Sequence, residues 1–151
     1  MNTVTLDEVK ATQTKLAAMI AALEATQPRV VGITAQNISL MPGEHYAGII
    51  IGQNGGADYH LILLPGEAER VTWAKAKTFA KDAGGDLPTR REQSLLYANC
   101  KEQFEGAWYW SSEEHASDSD CAWMQGFGVG DQDGYRKGHA SRARAVRRLP
   151  I

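Results

Sequence analysis

Seven of the chain's twelve aromatic residues fall between Phe104 and Tyr135, in a stretch studded with Gly, Ser and Asp. Large rings interleaved with turn residues read as short strands joined by long, irregular loops. At 151 residues, 43% hydrophobic and 23% charged, the chain is one ordinary domain with some sequence to spare, and its composition argues against intrinsic disorder. Sixteen Lys and Arg against eighteen Asp and Glu leave a formal charge of −2, so the chain-wide electrostatic footprint of a nucleic-acid binder is missing. No apolar run approaches the roughly 18 residues of a membrane span. The N-terminus, MNTVTLDEVK, carries acids where a signal peptide starts basic and then apolar. A protein that is neither membrane-bound nor secreted through such a signal is expected.

Ahead of the aromatic segment the chain divides into three parts. Residues 5–25 predict a helix: Thr5 and Glu8 form a capping box, and Leu6, Val9, Leu16, Ile20 and Leu23, with Gln13 between them, trace a heptad seam. Such a seam either lies on its own domain or joins copies of the chain; its strict spacing favours self-association, with a trimer as the expected state. Residues 1–27 are therefore read as an oligomerising helix, stopped by Pro28, and residues 28–44 as a connector. Short β-like pieces are expected in the connector at Val30–Ile33 and Ile38–Met41, before a turn at Pro42-Gly43. Residues 45–151 then form the main α+β domain.

That domain begins with a hairpin, Tyr46–Gly52 and Tyr59–Leu64, apolar enough to be buried on both faces. Two helices follow. Thr72–Ala83 places Trp73, Ala76, Phe79, Ala80 and Ala83 on one face and stops at Gly84-Gly85. Thr89 and Glu92 form a second capping box for a helix to about Gln103, burying Leu95, Leu96, Asn99 and Cys100. Ala140–Leu149 is expected to be a closing strand.

Four short strings carry a resemblance by their order: Leu87-Pro88-Thr89-Arg90-Arg91-Glu92, Trp108-Tyr109-Trp110-Ser111-Ser112, Ala122-Trp123-Met124 and Arg144-Ala145-Val146-Arg147. Over about residues 45–149 the chain resembles a family of domains found at the C-termini of bacterial collagen-like adhesins, in phage tail-fibre proteins and in lipoproteins. It departs from that pattern at Ala145, where the family usually has Pro. The resemblance implies a C-type-lectin-like fold, related to formylglycine-generating enzymes and to the variable proteins of diversity-generating retroelements. Its N- and C-terminal strands close a small sheet and its loops gather on one face. Arg144 and Arg147 resemble the family's structural arginines.

Each remaining chemical feature carries a plain and a functional reading. Trp108-Tyr109-Trp110 alternates across a strand, so both indoles share one face, either packed in the core or exposed as a sugar-stacking platform. Ser111–Asp120, with Glu113, His115 and Asp118, is a solvated loop or a weak calcium site. The Glu-Pro-Asn, Gln-Pro-Asp and Trp-Asn-Asp triplets of calcium-dependent lectins do not occur here, so no metal is expected. Gly126–Gly138, with Asp131, Asp133, Tyr135 and Arg136, is a hairpin with flexible turns or a recognition loop. Arg142, Arg144 and Arg148 on one strand face, with Arg147 on the other, pair with carboxylates of the acidic loops rather than with nucleic acid. Cys100 and Cys121 are two buried thiols, one bridge or a catalytic thiol; the paired-cysteine copper site of formylglycine-generating relatives has no counterpart at these positions. The four histidines are scattered, with no Ser-His-Asp order, so no enzyme, catalytic residue or cofactor is expected.

The expectation is a non-enzymatic receptor-binding module of a phage tail fibre or tail tip, a virion adhesin that recognises a bacterial surface glycan or protein receptor. Glu113, His115, Asp118, Asp131, Asp133, Tyr135, Arg136 and His139 are its candidate ligand contacts. A purely structural virion component and a retroelement-diversified variable protein are the alternatives; a cytoplasmic bacterial protein would also lack a signal peptide.

Overall fold

Thr5 opens helix α1 (Leu6–Ala25) with the predicted capping box: its hydroxyl accepts from the Glu8 amide, and Glu8 Oε2 accepts from the Thr5 amide at 2.8 Å. None of the helix's residues is buried, and the five apolar seam positions are 48–68% exposed. The computed structural model describes residues 4–27 and 36–151, in two units that divide at Ala35. The expected β-like piece at Val30–Ile33 and the first part of the 28–44 connector, through residue 35, lie outside the described residues. Ile38–Met41 is described and is not a strand.

The second unit begins with the predicted hairpin. Strands β1 (His45–Ile50) and β2 (Tyr59–Leu63) pair antiparallel, and β2 is buried along its length after Tyr59. β1 is not buried on both faces as expected: it is the edge of the sheet, and Tyr46 is exposed. A short strand with no sequence signature, β3 (Ala68–Val71), leads into α2 (Trp73–Asp82), whose buried stripe is Trp73, Ala76 and Ala80. Phe79 packs partly against the same core, while Ala83 is exposed at the C-cap. Gly84 takes a left-handed φ of 86° there, the usual reason for glycine at a helix C-terminus. Gly85 has a different reason: a Cβ would stand 2.2 Å from the Val146 carbonyl oxygen, where Asp86 and Val146 bridge the chain.

Helix α3 (Arg90–Asn99) opens on the second capping box and ends before Gln103, since Lys101–Gln103 is a separate 3-10 turn. Leu96 and Cys100 are buried as predicted, Leu95 is half-buried, and Asn99 is exposed, its amide donating to the Ala47 carbonyl at 2.7 Å. Less expected, Glu92 and Gln93 are fully buried.

Strands β4 (Trp108–His115), β5 (Asp118–Gly126) and β6 (Gln132–Arg136) follow as two successive hairpins. The stretch 111–120 is therefore a hairpin tip with a two-residue turn, not a loop. The predicted closing strand is two strands in two sheets, β7 (Ser141–Ala143) and β8 (Val146–Pro150). β8 joins β2 in a sheet ordered β1-β2-β8; β7 runs parallel to β4 in a mixed sheet ordered β3-β7-β4-β5-β6. The domain is thus α+β, with its first hairpin joined through β2 to its last strand.

Both faces of β4 are covered, which decides the Trp108-Tyr109-Trp110 alternation. Trp110 and, partly, Trp108 pack with Trp73, Ala76, Ala122 and Met124 under α2. Tyr109 packs on the other side with Leu96, Phe127 and Val146 under α3. The two buried indoles each find an acceptor, Trp73 Nε1 at the Ser111 carbonyl (2.7 Å) and Trp110 Nε1 at the Val71 carbonyl (2.9 Å). This is what makes burial of such large rings favourable. Trp110, buried, and Trp108, packed partly against the same core, are turned inward rather than presented as a sugar platform.

The C-terminal arginines hold the fold together. Arg147 forks onto Glu44 (Nε and Nη2, both 2.7 Å), and Arg148 onto the buried Glu92 (2.6 and 2.8 Å) with a further bond to Asp86 at 3.0 Å. Arg142 pairs with Glu67 and Glu69, and the buried Arg144 donates to the carbonyls of Gln103 and Leu64. Carboxylate pairing is the expected role, but none of these partners belongs to the 111–120 segment. The break between β7 and β8 also dissolves the single face on which Arg142, Arg144 and Arg148 were placed.

Candidate functional site

Along β5, Ala122 and Met124 point into the core, so alternation turns Cys121, Trp123 and Gln125 to the other face. α3 covers that face at Gln125 and Tyr109, and its first turn stops above Trp123. The Arg90 guanidinium lies over the Trp123 ring at 3.6 Å, a cation–π contact. His115 stacks against the same indole at 4.8 Å and 26° between planes. Gly134, opposite Trp123 on β6, makes room for the imidazole: a Cβ there would meet its Cδ2 at 2.8 Å.

Arg90 is fixed at several atoms. Its Nε donates to Gln132 Oε1 (2.9 Å), and Gln132 Nε2 donates to the Arg90 carbonyl (2.9 Å) and to Gln125 Oε1 (2.8 Å). Gln125 is buried, so the chain Gln125–Gln132–Arg90 is anchored in the core. The Arg90 amide donates to Glu113 Oε2 at 2.5 Å, which satisfies one of the free donors of the helix start. Tyr59, Thr89, Arg90, Arg91, Ser94, Glu113 and Gln132 line an open groove of about 540 Å³ here.

Below the groove lies the Glu92 cluster. Burial opposes ionisation of this carboxyl, but hydrogen bonds from Arg148, Tyr59 (2.6 Å) and the Thr89 amide (2.7 Å) outweigh it and hold its pKa below the ordinary value. Burial, with Glu92 as acceptor, pushes the Tyr59 hydroxyl up to about 12. Tyr59 is therefore a fixed neutral donor at the groove's inner edge.

The sequence-predicted contacts divide among several places. Glu113 lines the groove and His115 backs it. Asp118 sits at the β4–β5 tip, where the Cys121 thiol and the Asp120 amide hold its carboxyl below the usual range. Asp131 and Asp133 are exposed around the start of β6, and Asp133 Oδ1 accepts from the next amide at 2.8 Å. Tyr135 is turned inward against Trp108, its ring centroid 5.8 Å away. Arg136 and His139 meet in a second shallow groove with Asp120, Lys137 and Gly138, at the far end of β6 from Gln132. The eight residues thus do not form one surface. Arg90, Trp123 and Gln132 were not among them. Trp123 was findable: it lies between Ala122 and Met124 on a strand whose small and apolar neighbours face the core.

Neither cysteine is bridged. Cys100 closes α3, while Cys121 lies two residues from Trp123, the residue that the opposite end of that helix covers. Ten helical residues, about 15 Å, intervene. Burial raises both thiol pKa values, and Asp118 raises Cys121 further, the reverse of what a nucleophilic thiolate requires. Among the described residues, no three His, Cys, Asp or Glu side chains converge on a metal-sized site, and no helix is long and apolar enough to cross a membrane. No protein-family model matches the chain, and no curated protein matches it.

Proposed function

We propose that this chain is a non-enzymatic binding module with a C-type-lectin-like domain, working in a phage tail fibre or tail tip to recognise a ligand on a bacterial surface. The observation that carries the reading is the groove beside α3. Its polar side chains are positioned by a buried network, and Arg90 is pinned over Trp123 without a carboxylate partner among the described residues. Preorganised polar groups on a rigid frame are what a recognition site needs. Support for the fold comes from the pairing of β2, the second strand of the first hairpin, with the terminal β8, from the two helices packed on opposite faces of β4, and from the ordered motif strings.

The exposed seam of α1 supports display in several copies, a homotrimer in this reading. A 20-residue helix with no buried face is marginal alone and gains stability when its seam is covered by other copies. Labelled full-length protein is expected to adsorb to a subset of bacterial strains, and purified envelope polymer from those strains is expected to compete. Failure to adsorb to any strain, and to any envelope polymer, contradicts the reading.

A further inference from the structure

The groove beside α3 contains two guanidinium groups and one carboxylate. Arg90 uses Nε on Gln132, and Arg91 uses Nη2 on the Ile51 carbonyl at 3.0 Å. Among the described residues, neither forms an ion pair, whereas Arg142, Arg147 and Arg148 all do. The contrast matters because Arg90 is as strongly oriented as the paired arginines. The Trp123 face fixes its plane and Gln132 fixes its Nε edge, leaving the two terminal nitrogens as a preset pair of donors. A planar fork of this kind matches two oxygens of one anion. Trp123 already carries both the Arg90 guanidinium and the His115 ring, so the indole serves as a support rather than as a stacking surface for a ligand.

Charge narrows the ligand. Two cations against the Glu113 carboxylate leave one positive charge at the groove, suited to a single negative charge rather than a dianion. The remaining lining groups, Tyr59, Thr89, Ser94 and Gln132, are hydrogen-bonding side chains that fit hydroxyls beside that charge. From these observations we infer that the groove binds a monoanionic oxyanion carried on a polyhydroxylated polymer, either the carboxylate of an acidic sugar or a phosphodiester, with Arg90 as the principal anchor. This rests on the binding-module reading and assigns its ligand class.

Titration calorimetry on the full chain tests the assignment with three probes: a galacturonate tetramer, a glycerol-phosphate tetramer and a neutral galactose tetramer. At least one anionic probe is expected to bind and the neutral one to bind about tenfold or more weakly. Arg90→Lys keeps the charge but loses the fork, and is expected to weaken the anionic probe about tenfold or more. Gln132→Met frees the Nε edge and is expected to weaken it by a smaller factor. Lys75→Gln, which removes one positive charge from the exposed face of α2, is expected to leave binding unchanged. Amide NMR spectra of each variant report the fold independently. The stronger of the two anionic probes identifies the source of the oxyanion. Equal binding of the neutral probe, or unchanged anionic affinity in folded Arg90→Lys, overturns the inference while leaving surface recognition standing. If no probe binds and no cell adsorbs the protein, both fall.

Discussion

Replacing Arg148 with Met is expected to destabilise the Gln36–Ile151 domain by about 3–5 kcal/mol, because it strands the Glu92 carboxylate in a site with no exposure to water. That corresponds to a fall in melting temperature on the order of 10–20 °C for a domain of this size. Charge alone does not explain such a cost, since exposed pairs contribute little. Here the pair is a two-bond fork, 2.6 and 2.8 Å, onto a carboxylate that also accepts from Tyr59 and the Thr89 amide. The effect should depend on pH in a specific direction. In the parent chain Glu92, Glu44 and Asp86 all titrate below their ordinary values, Glu44 chiefly through Arg147 and Asp86 chiefly through Lys81. Their contribution to stability is complete above about pH 4.5 and is lost as pH falls through the lower folded values. In Arg148→Met, burial becomes the dominant influence on Glu92 and raises its pKa, so protonation relieves the variant. Thermal melts at pH 7 and pH 4.5 should show the gap between parent and variant narrowing in acid. A gap that stays constant or widens would mean that Glu92 is not the group left unpaired.

The second large effect concerns α1. Leu16→Asp with Ile20→Asp places two charges in the exposed seam without altering the capping box. Adsorption to bacterial cells is expected to fall by about 10²–10⁴, the avidity lost when linked sites become single ones. Binding of a single tetrameric probe should be unaffected. Equal loss in both assays would show that the helix contributes to the site itself rather than to its multiplicity.

The elements set by nearest neighbours were legible. Both capping boxes sit where Thr and Glu stand three apart, the first hairpin follows its apolar runs, and the Trp-Tyr-Trp alternation became the division between two cores. What escaped depended on partners far along the chain. Glu92 looked like a capping residue alone; its second role needs Arg148, 56 positions away. The run from Ala140 to Leu149 alternates like one strand, yet the chain leaves one sheet at Arg144-Ala145 and enters the other, where Val146 bridges Asp86. Glycine and acid counts favoured the 111–120 and 126–138 stretches as contact loops, but pairing across β4, β5 and β6 turned most of the first and nearly half of the second into strands. The groove itself joins the first turn of α3 to Trp123 and Gln132, more than thirty residues on, a juxtaposition made by the fold.

In the proposed reading a bacterial surface polymer lands on the groove beside α3. Hydroxyl-radical footprinting of the full chain, with and without envelope polymer from an adsorbing strain, tests it directly. Half-buried Trp123 and His115 report on the groove, His139 on the second groove at the far end of β6, and exposed Tyr46 on the edge strand. Protection of Trp123 and His115, with His139 and Tyr46 unchanged, is the predicted result. Protection confined to His139 or Tyr46 would place recognition elsewhere on the domain and contradict the account.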